Sequence, residues 1–217
     1  MTDFVHLAVQ KRTRLLGLGD LETVSRALAD GALAVLPTET GYMLAALATS
    51  SRAVEAAFAA KQRNPVAVMH VACSSLAMAR HYGVLDERAT ALVAAFTPGP
   101  LTVVVPQTDA LPDGLVTRDG TVGIRVPDNP ATLQVVAAVG APLTATSVNV
   151  SGQSGAFSLA EADLRRLSWP EDATVYVVVD DEAVAYDAPS TLVRVTGPGL
   201  EILRPGPVTA QALSDWE

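Results

Sequence analysis

The chain has 217 residues, 49% of them hydrophobic and only 5% aromatic, so valine, alanine and leucine must build a large core. A formal net charge of −8 and a pI near 4.8 exclude a general affinity for nucleic acid, because phosphate attraction needs clustered lysine and arginine. A lone cysteine, Cys73, excludes an intrachain disulfide, three scattered histidines (His6, His70 and His81) assemble no His/Cys metal site, and no apolar run reaches the roughly 18 residues that a membrane helix needs.

The single cysteine fits a reducing, cytoplasmic location. At the N-terminus, "MTDFVHLAVQKRTR" has an early acidic residue and no long apolar core, so it does not read as a signal peptide. Its "KRTR", Lys11 to Arg14, is the densest basic stretch and reads as a solvated face. Asp20 opens "DLETVSRALADG", where Leu21, Val24 and Leu28 share a face and Gly31 ends the pattern, predicting a capped amphipathic helix. "ALAVLPT" predicts a buried strand and "LAALATS" another, and Ser50 or Ser51 caps the helix "RAVEAAFAAKQR". "VAVMHVA" is a strand, with Cys73 at its buried end, and helices follow over "LAMARHY" and "DERATALVAAF". "PGPLTVVV" restarts a strand after a Pro-Gly-Pro turn.

"LVTRDGTVGIRVP" predicts a hairpin turning at Asp119-Gly120. "NPATLQVVAAVG" starts a helix with Asn129 as cap and Pro130 at the first helical position. "APLTATSVNVSG" is a strand running into a polar loop, a short helix lies near "LAEADLRRL", and "TVYVVVD", "STLVRV" and "LEILRP" close the pattern as strands. Neither an internal repeat nor a low-complexity linker divides the chain, which predicts one mixed α/β domain over residues 1–217.

Polar clusters interrupt this apolar background: "PTETGY", "KQRNP", "GTVGIRVP" with Arg125 inside an apolar strand, "TATSVNVSGQ" with Thr146, Ser147, Asn149 and Ser151, and the pair "PSTLV" and "ILRPG". Each has a plain structural reading. Basic residues at a helix end offset the macrodipole, Ser/Asn/Gly clusters make turns, and a strand arginine pairs with a surface carboxylate. Together they point to chemistry. Arginine and lysine supply forked or fixed positive charge for phosphate and carboxylate, while hydroxyls and amides orient a sugar, a phosphate or a small zwitterion. No Ser-His-Asp or Cys-His set is present, and neither GxGxxG nor GxxxxGK[ST] occurs. The chemistry implied is positioning and electrostatic stabilisation of a phosphate-bearing substrate.

Taken in order and spacing, "LPTETGY", "KQR", "FTPGPLTVVV", "VGIRVPDNP", "TSVNVSG" and "PSTLV…ILRPG" resemble the YrdC-like family, the L-threonylcarbamoyladenylate synthases, over about residues 15–207. The resemblance implies a twisted mixed, largely parallel sheet with flanking helices around a concave pocket. It implies an ATP-using enzyme that makes threonylcarbamoyl-AMP and pyrophosphate from L-threonine, bicarbonate and ATP with Mg²⁺, for transfer by a partner complex to an adenosine of tRNA. By the same resemblance Thr40, Arg125, Ala145 and Ser190 meet threonine, and Lys61, Arg63, Asn64, Thr121, Ser147, Asn149 and Arg204 surround ATP. The family's KxR…SxN tetrad is Lys61, Arg63, Ser147 and Asn149, and no residue is implied as a metal ligand.

The chain departs from the family at several ligand-facing positions. Gly41 and Met43 stand where the family's order of residues differs, Arg63 runs directly into Asn64-Pro65, and "DAPSTLV" lacks a glycine before its Ser-Thr pair. Strand alternation would point Met69 and His70 to opposite faces. The chain ends soon after "RPGPV", so the second domain of longer members is expected to be missing. A short loop after Arg63 would leave phosphates exposed, with weaker, salt-sensitive ATP binding. These departures raise one alternative, a non-catalytic paralogue that binds a nucleotide or amino acid; two others are a carbamoyl-adenylate module like those of larger carbamoyltransferases, against which the lack of an attached domain counts, and an acidic RNA-binding protein, which the charge supports poorly. Arg125, with no acidic neighbour inside "GIRVP", is expected to face the pocket and grip a substrate carboxylate, so that its removal spares the fold.

Overall fold

The computed structural model describes residues 2–10, 13–64, 68–112, 114, 116–149, 164–180, 182–196, 199–214 and 216. The strands are β1 (Asp3–Ala8), β2 (Leu33–Thr38), β3 (Gly41–Ala45), β4 (His70–Ala72), β5 (Leu101–Pro106), β6 (Thr117–Arg118), β7 (Thr121–Arg125), β8 (Leu143–Ser147), β9 (Thr174–Val179), β10 (Thr191–Val195) and β11 (Leu200–Arg204). The helices are α1 (Leu18–Ala29), α2 (Ser51–Ala60), α3 (Leu76–Tyr82), α4 (Glu87–Phe96), α5 (Pro130–Val139) and a last short α6 (Ala210–Ser214). Among the described residues no helix is long and apolar enough to cross a membrane.

The strands form one mixed sheet in the order β1-β9-β2-β3-β8-β4-β7-β5-β10-β11, with β6 paired to β7. Pairing is parallel in β1–β9, β9–β2, β4–β7 and β5–β10, and antiparallel in the other described ladders. Helices cover both faces, which is the expected mixed α/β sheet with flanking helices. Alternation along β2 shows why both faces must be apolar. Leu33 and Val35 point into the cluster that holds Val54, Ala57 and Phe58 of α2, whereas Ala34 and Leu36 point into the cluster that holds Val24 and Leu28 of α1 and Val135 and Val136 of α5. Pro37 is tolerated in this strand because the β9 ladder ends at Val35, so its missing N–H faces no partner there.

Local signals act where they are strongest. Asp119 (φ 51°) and Gly120 (φ 70°) make the β6–β7 turn, with left-handed backbone at both central positions as a two-residue hairpin of this twist requires. Asn129 caps α5 by accepting from the Thr132 N–H, and Gly140 (φ 74°) ends it. Ser50 caps α2, accepting from Ala53 N at 3.3 Å.

Three expectations change. Asp20 lies within the first turn of α1, and Gly17, without a capping side chain, precedes the helix. The strand expected over "LAALATS" starts earlier, at Gly41, because β2 and β3 close a tight hairpin in which Thr38 pairs with Gly41. Arg14 is not simply a solvated charge: its Nη2 donates to the buried Asp180 Oδ2 at 2.9 Å. Lys11 and Arg12 lie outside the described residues, as do Ser151 and residues 159–163 of the helix expected over "LAEADLRRL".

Candidate active site

The segment "PTET" is the tip of the β2–β3 hairpin, with Glu39 and Thr40 as its two loop residues and Gly41 at φ 106°, a conformation that favours glycine. Thr38 Oγ1 donates to the Gly41 carbonyl at 2.6 Å and accepts from Thr40 N at 3.3 Å, which locks the tip. The Glu39 carbonyl accepts from Ala185 N and Tyr186 N at 2.9 and 3.0 Å. The Glu39 side chain turns inward and is only 3% exposed. Its Oε1 accepts from Arg125 Nη2 at 2.5 Å and its Oε2 from Asp128 N at 2.8 Å. Arg125 Nη2 also donates to Thr40 Oγ1 at 3.1 Å. Arg125 therefore faces the cavity, as expected, and it already holds a carboxylate of its own chain.

Opposite this corner, Ser190 precedes β10 and Arg204 ends β11. Arg204 donates twice to the Ser190 carbonyl, from Nε at 3.1 Å and Nη2 at 2.8 Å, and from Nη2 to Ser190 Oγ at 3.2 Å. Gly206 allows this close approach. A Cβ there would lie 2.5 Å from both the Pro189 carbonyl oxygen and Thr191 N. Burial first, and then the Arg125 guanidinium, lower the Arg204 pKa.

The Lys-x-Arg segment ends α2 through Gln62, a non-glycine residue at φ 51°. Arg63 N donates to Phe58 O and Gln62 N to Ala59 O, both at 3.0 Å, the pair of bonds that closes a helix over a left-handed residue. Gln62 is thereby turned outward to Ser168, while Lys61 and Arg63 both reach the exit of β8. Lys61 Nζ donates to the Ser147 carbonyl, to the Asn149 carbonyl at 2.8 Å and to Asn149 Oδ1 at 3.0 Å. Ser147 Oγ donates to the same Asn149 Oδ1. Arg63 donates to Thr146 Oγ1 at 3.3 Å and to the Val68 carbonyl at 2.8 Å. Lys61 is 1% exposed. Its ammonium is pushed down to about 7, by burial and then by the neighbouring Arg63 charge. Burial also lowers the Arg63 pKa.

These corners enclose one cavity, lined by Thr40, Arg63, Arg125, Ala145, Ser147, Ser190 and Arg204 among others. The described lining residues include three guanidiniums and no carboxylate. Lys61 and Asn149 stand behind the Ser147 wall. Asn64 is exposed just beyond Arg63. Thr121 does not reach the cavity: it sits at the far end of β7 from Arg125, and its Oγ1 donates to the Arg118 carbonyl at 2.8 Å. Residues 65–67, where nucleotide cover was expected to be short, lie outside the described residues.

Sequence reasoning assigned no role to Glu39, Thr102 or His70, of which Thr102 and His70 line the cavity. Met69 and His70 were expected on opposite faces, yet both line the cavity, because β4 begins only at His70 and strand alternation does not extend to Met69. Burial and the charges of Arg204, Arg63 and Arg125 push the His70 imidazole down to about 3, so it is neutral at neutral pH. Met43 forms part of the wall and leaves the cavity open. Gly123 supports the imidazole from the neighbouring strand, and a Cβ there would stand 2.6 Å from His70 Cδ2. Gly123→Ala is expected to cost about 1–3 kcal/mol through overpacking and to displace the ring. A lower urea midpoint together with a moved His70 imidazole NMR signal is the expected result, and an unchanged midpoint would show that the ring has room.

A family model described as telomere recombination, Sua5/YciO/YrdC, matches residues 26–206 of the 217. The chain belongs to the Sua5/YciO/YrdC family. A Mycobacterium tuberculosis protein provisionally named a threonylcarbamoyl-AMP synthase is 34% identical over 192 residues, covering 87% of this chain and 85% of the relative. The threonylcarbamoyl-AMP synthase of Bacillus subtilis is 30% identical over 190 residues, covering 86% of this chain and 53% of that longer protein. P. abyssi Sua5 in complex with L-threonine superposes with a TM-score of 0.85 at 23% identity, over 98% of this chain and 60% of that one, a likeness of fold. The chain thus spans little more than half of the B. subtilis and P. abyssi proteins.

Proposed function

We propose that the chain is a threonylcarbamoyl-AMP synthase, joining L-threonine, bicarbonate and ATP, whose product a separate complex transfers to tRNA. The carrying observation is the cavity in which Arg63, Arg125 and Arg204 converge on a wall of hydroxyls without a lining carboxylate. Such a site suits a substrate set with several anionic groups. In the reaction, the threonine nitrogen attacks the bicarbonate carbon and water leaves, giving a carbamate. A carbamate oxygen then attacks the α-phosphorus of ATP, and pyrophosphate departs with the electron pair of the broken P–O bond. The protein supplies no covalent nucleophile. Arg125, Thr40 and Ser190 hold the amino acid, with the Ala145 backbone beside it. Arg63, Ser147 and Arg204 face the phosphates, backed by Lys61 and Asn149. Fixed charges in a confined site stabilise charge that moves from carbamate to pyrophosphate.

Mg²⁺ enters with ATP as part of that substrate. Among the described residues no group of three or more His, Cys, Asp or Glu side chains could hold a metal ion. Glu39, the carboxylate buried beside the cavity, is already committed to Arg125 and to Asp128 N, so no step here is assigned to a protein-held metal. With a net charge of −8, the chain has no general attraction for tRNA, which fits hand-over to a partner. A cytoplasmic site of action and a single domain over residues 1–217 complete the reading.

The test is pyrophosphate release with each substrate omitted in turn. Release that needs threonine, bicarbonate and ATP together is expected, with threonylcarbamoyl-AMP identified by mass. Equal release without threonine would overturn the assignment.

A further inference from the structure

Thr102 lies on β5 directly across from Arg125 of β7 and is 0% exposed. Its hydroxyl is 2.8 Å from Ser190 Oγ, and it has no other hydrogen-bond partner among the described residues. Ser190, 4% exposed, lines the cavity and also accepts from Arg204 Nη2 at 3.2 Å. Each hydroxyl has one proton and two acceptor lone pairs. If Ser190 donated to Thr102, the Thr102 proton would be left buried without an acceptor, an arrangement native interiors avoid. The arrangement that satisfies every group has Thr102 donating to Ser190. Both Ser190 lone pairs are then filled, one by Thr102 and one by Arg204, which leaves its own proton as the part of the hydroxyl available to the cavity that Ser190 lines.

Resting on the function proposed above, we infer that Thr102 is a positioning residue. It fixes the direction of the Ser190 hydroxyl so that Ser190 can only donate, which turns it from the ammonium of the amino-acid substrate and suits an acceptor, most strongly the carboxylate. Without Thr102 the hydroxyl is free to rotate and to act as an acceptor, and the preference for a carboxylate weakens. Arg204 completes the device by filling the second lone pair while its two bonds to the Ser190 carbonyl hold the residue still.

The experiment is a double-mutant cycle on L-threonine affinity, measured by calorimetry on the full chain. Thr102→Val keeps the shape and removes the donor, and about a tenfold loss of affinity is expected, the effect of one hydrogen bond. Thr102→Ser should restore binding to within about threefold of the parent, by the same conversion. Ser190→Ala should bind at least as poorly as Thr102→Val. The double variant Thr102→Val/Ser190→Ala should bind no worse than Ser190→Ala alone, because Thr102 acts through Ser190. A purely structural threonine would instead give losses that add. If the valine variant does not fold, Thr102→Cys, of similar size with a weak donor, replaces it in the cycle. Unchanged affinity in Thr102→Val, or additive losses, would overturn the inference while leaving the proposed function standing. A parent chain that does not bind L-threonine would overturn the function, and this inference with it.

Discussion

Arg125→Ala is expected to cost on the order of 3–5 kcal/mol of folding stability and to remove measurable L-threonine binding. Inspection of "GIRVP" alone predicts a binding defect in an intact fold. The structure changes that expectation, because Arg125 and Glu39 are 8% and 3% exposed and share a bond of 2.5 Å. Removing the guanidinium strands a buried carboxylate whose remaining partner among the described residues is one backbone N–H, from Asp128. The two effects separate in a second variant. In Arg125→Met/Glu39→Gln both charges are gone, an amide oxygen can still accept from Asp128 N, and apolar bulk fills the place of the guanidinium. Its urea midpoint should recover most of the loss, while calorimetry still shows no threonine binding. A double variant that binds threonine like the parent would remove Arg125 from the substrate site. A single variant as stable as the parent would show that the pair is not what holds Glu39.

Lys61→Met should lower pyrophosphate release by about a hundredfold or more, the scale of one preorganised electrostatic contact, with a much smaller effect on stability at neutral pH. Lys61 holds the exit of β8 through the Ser147 and Asn149 carbonyls and supplies charge behind the proposed phosphate site. The same burial that makes this charge effective makes it costly to keep. The folded pKa is about 7 against an ordinary value of 10.5. The unfolded chain therefore binds more protons between those values, and by linkage the parent's stability rises as pH rises from about 7 towards the ordinary lysine range. Below about 7 the ammonium is charged in both states and the contribution is constant. Lys61→Met should lack that rise. Urea midpoints at pH 6.5 and 9 for both chains test the sign. An equal rise in both would mean that the ammonium is not held at a disadvantage, and undiminished pyrophosphate release would take Lys61 out of the proposed chemistry.

Features set by a few adjacent residues were legible from the chain alone. Asp119-Gly120 makes its hairpin because left-handed backbone is cheap for those residues, Asn129-Pro130 starts α5 because one side chain can satisfy an orphan N–H, and Ser50 starts α2 for the same reason. The apolar runs of β2, β5 and β9 announced strands, and the one read as buried, β2, is buried at every position. The ordered polar motifs were legible as those of one family. The partners of those motifs were not. Arg125 meets Glu39 across 86 positions, Lys61 meets Asn149 across 88, and Thr102 meets Ser190 across 88. Periodicity and turn chemistry reach only a few residues, so they cannot say that β3 and β4 both lie against β8, or that β7 and β10 both lie against β5. Strand order brings the hairpin tip of Glu39 and Thr40 within reach of Arg125, and places a second arginine and two hydroxyls beside it. The identity of each side chain was written in the chain, while the charge it neutralises, the proton it donates and the cavity it faces follow from that order of strands.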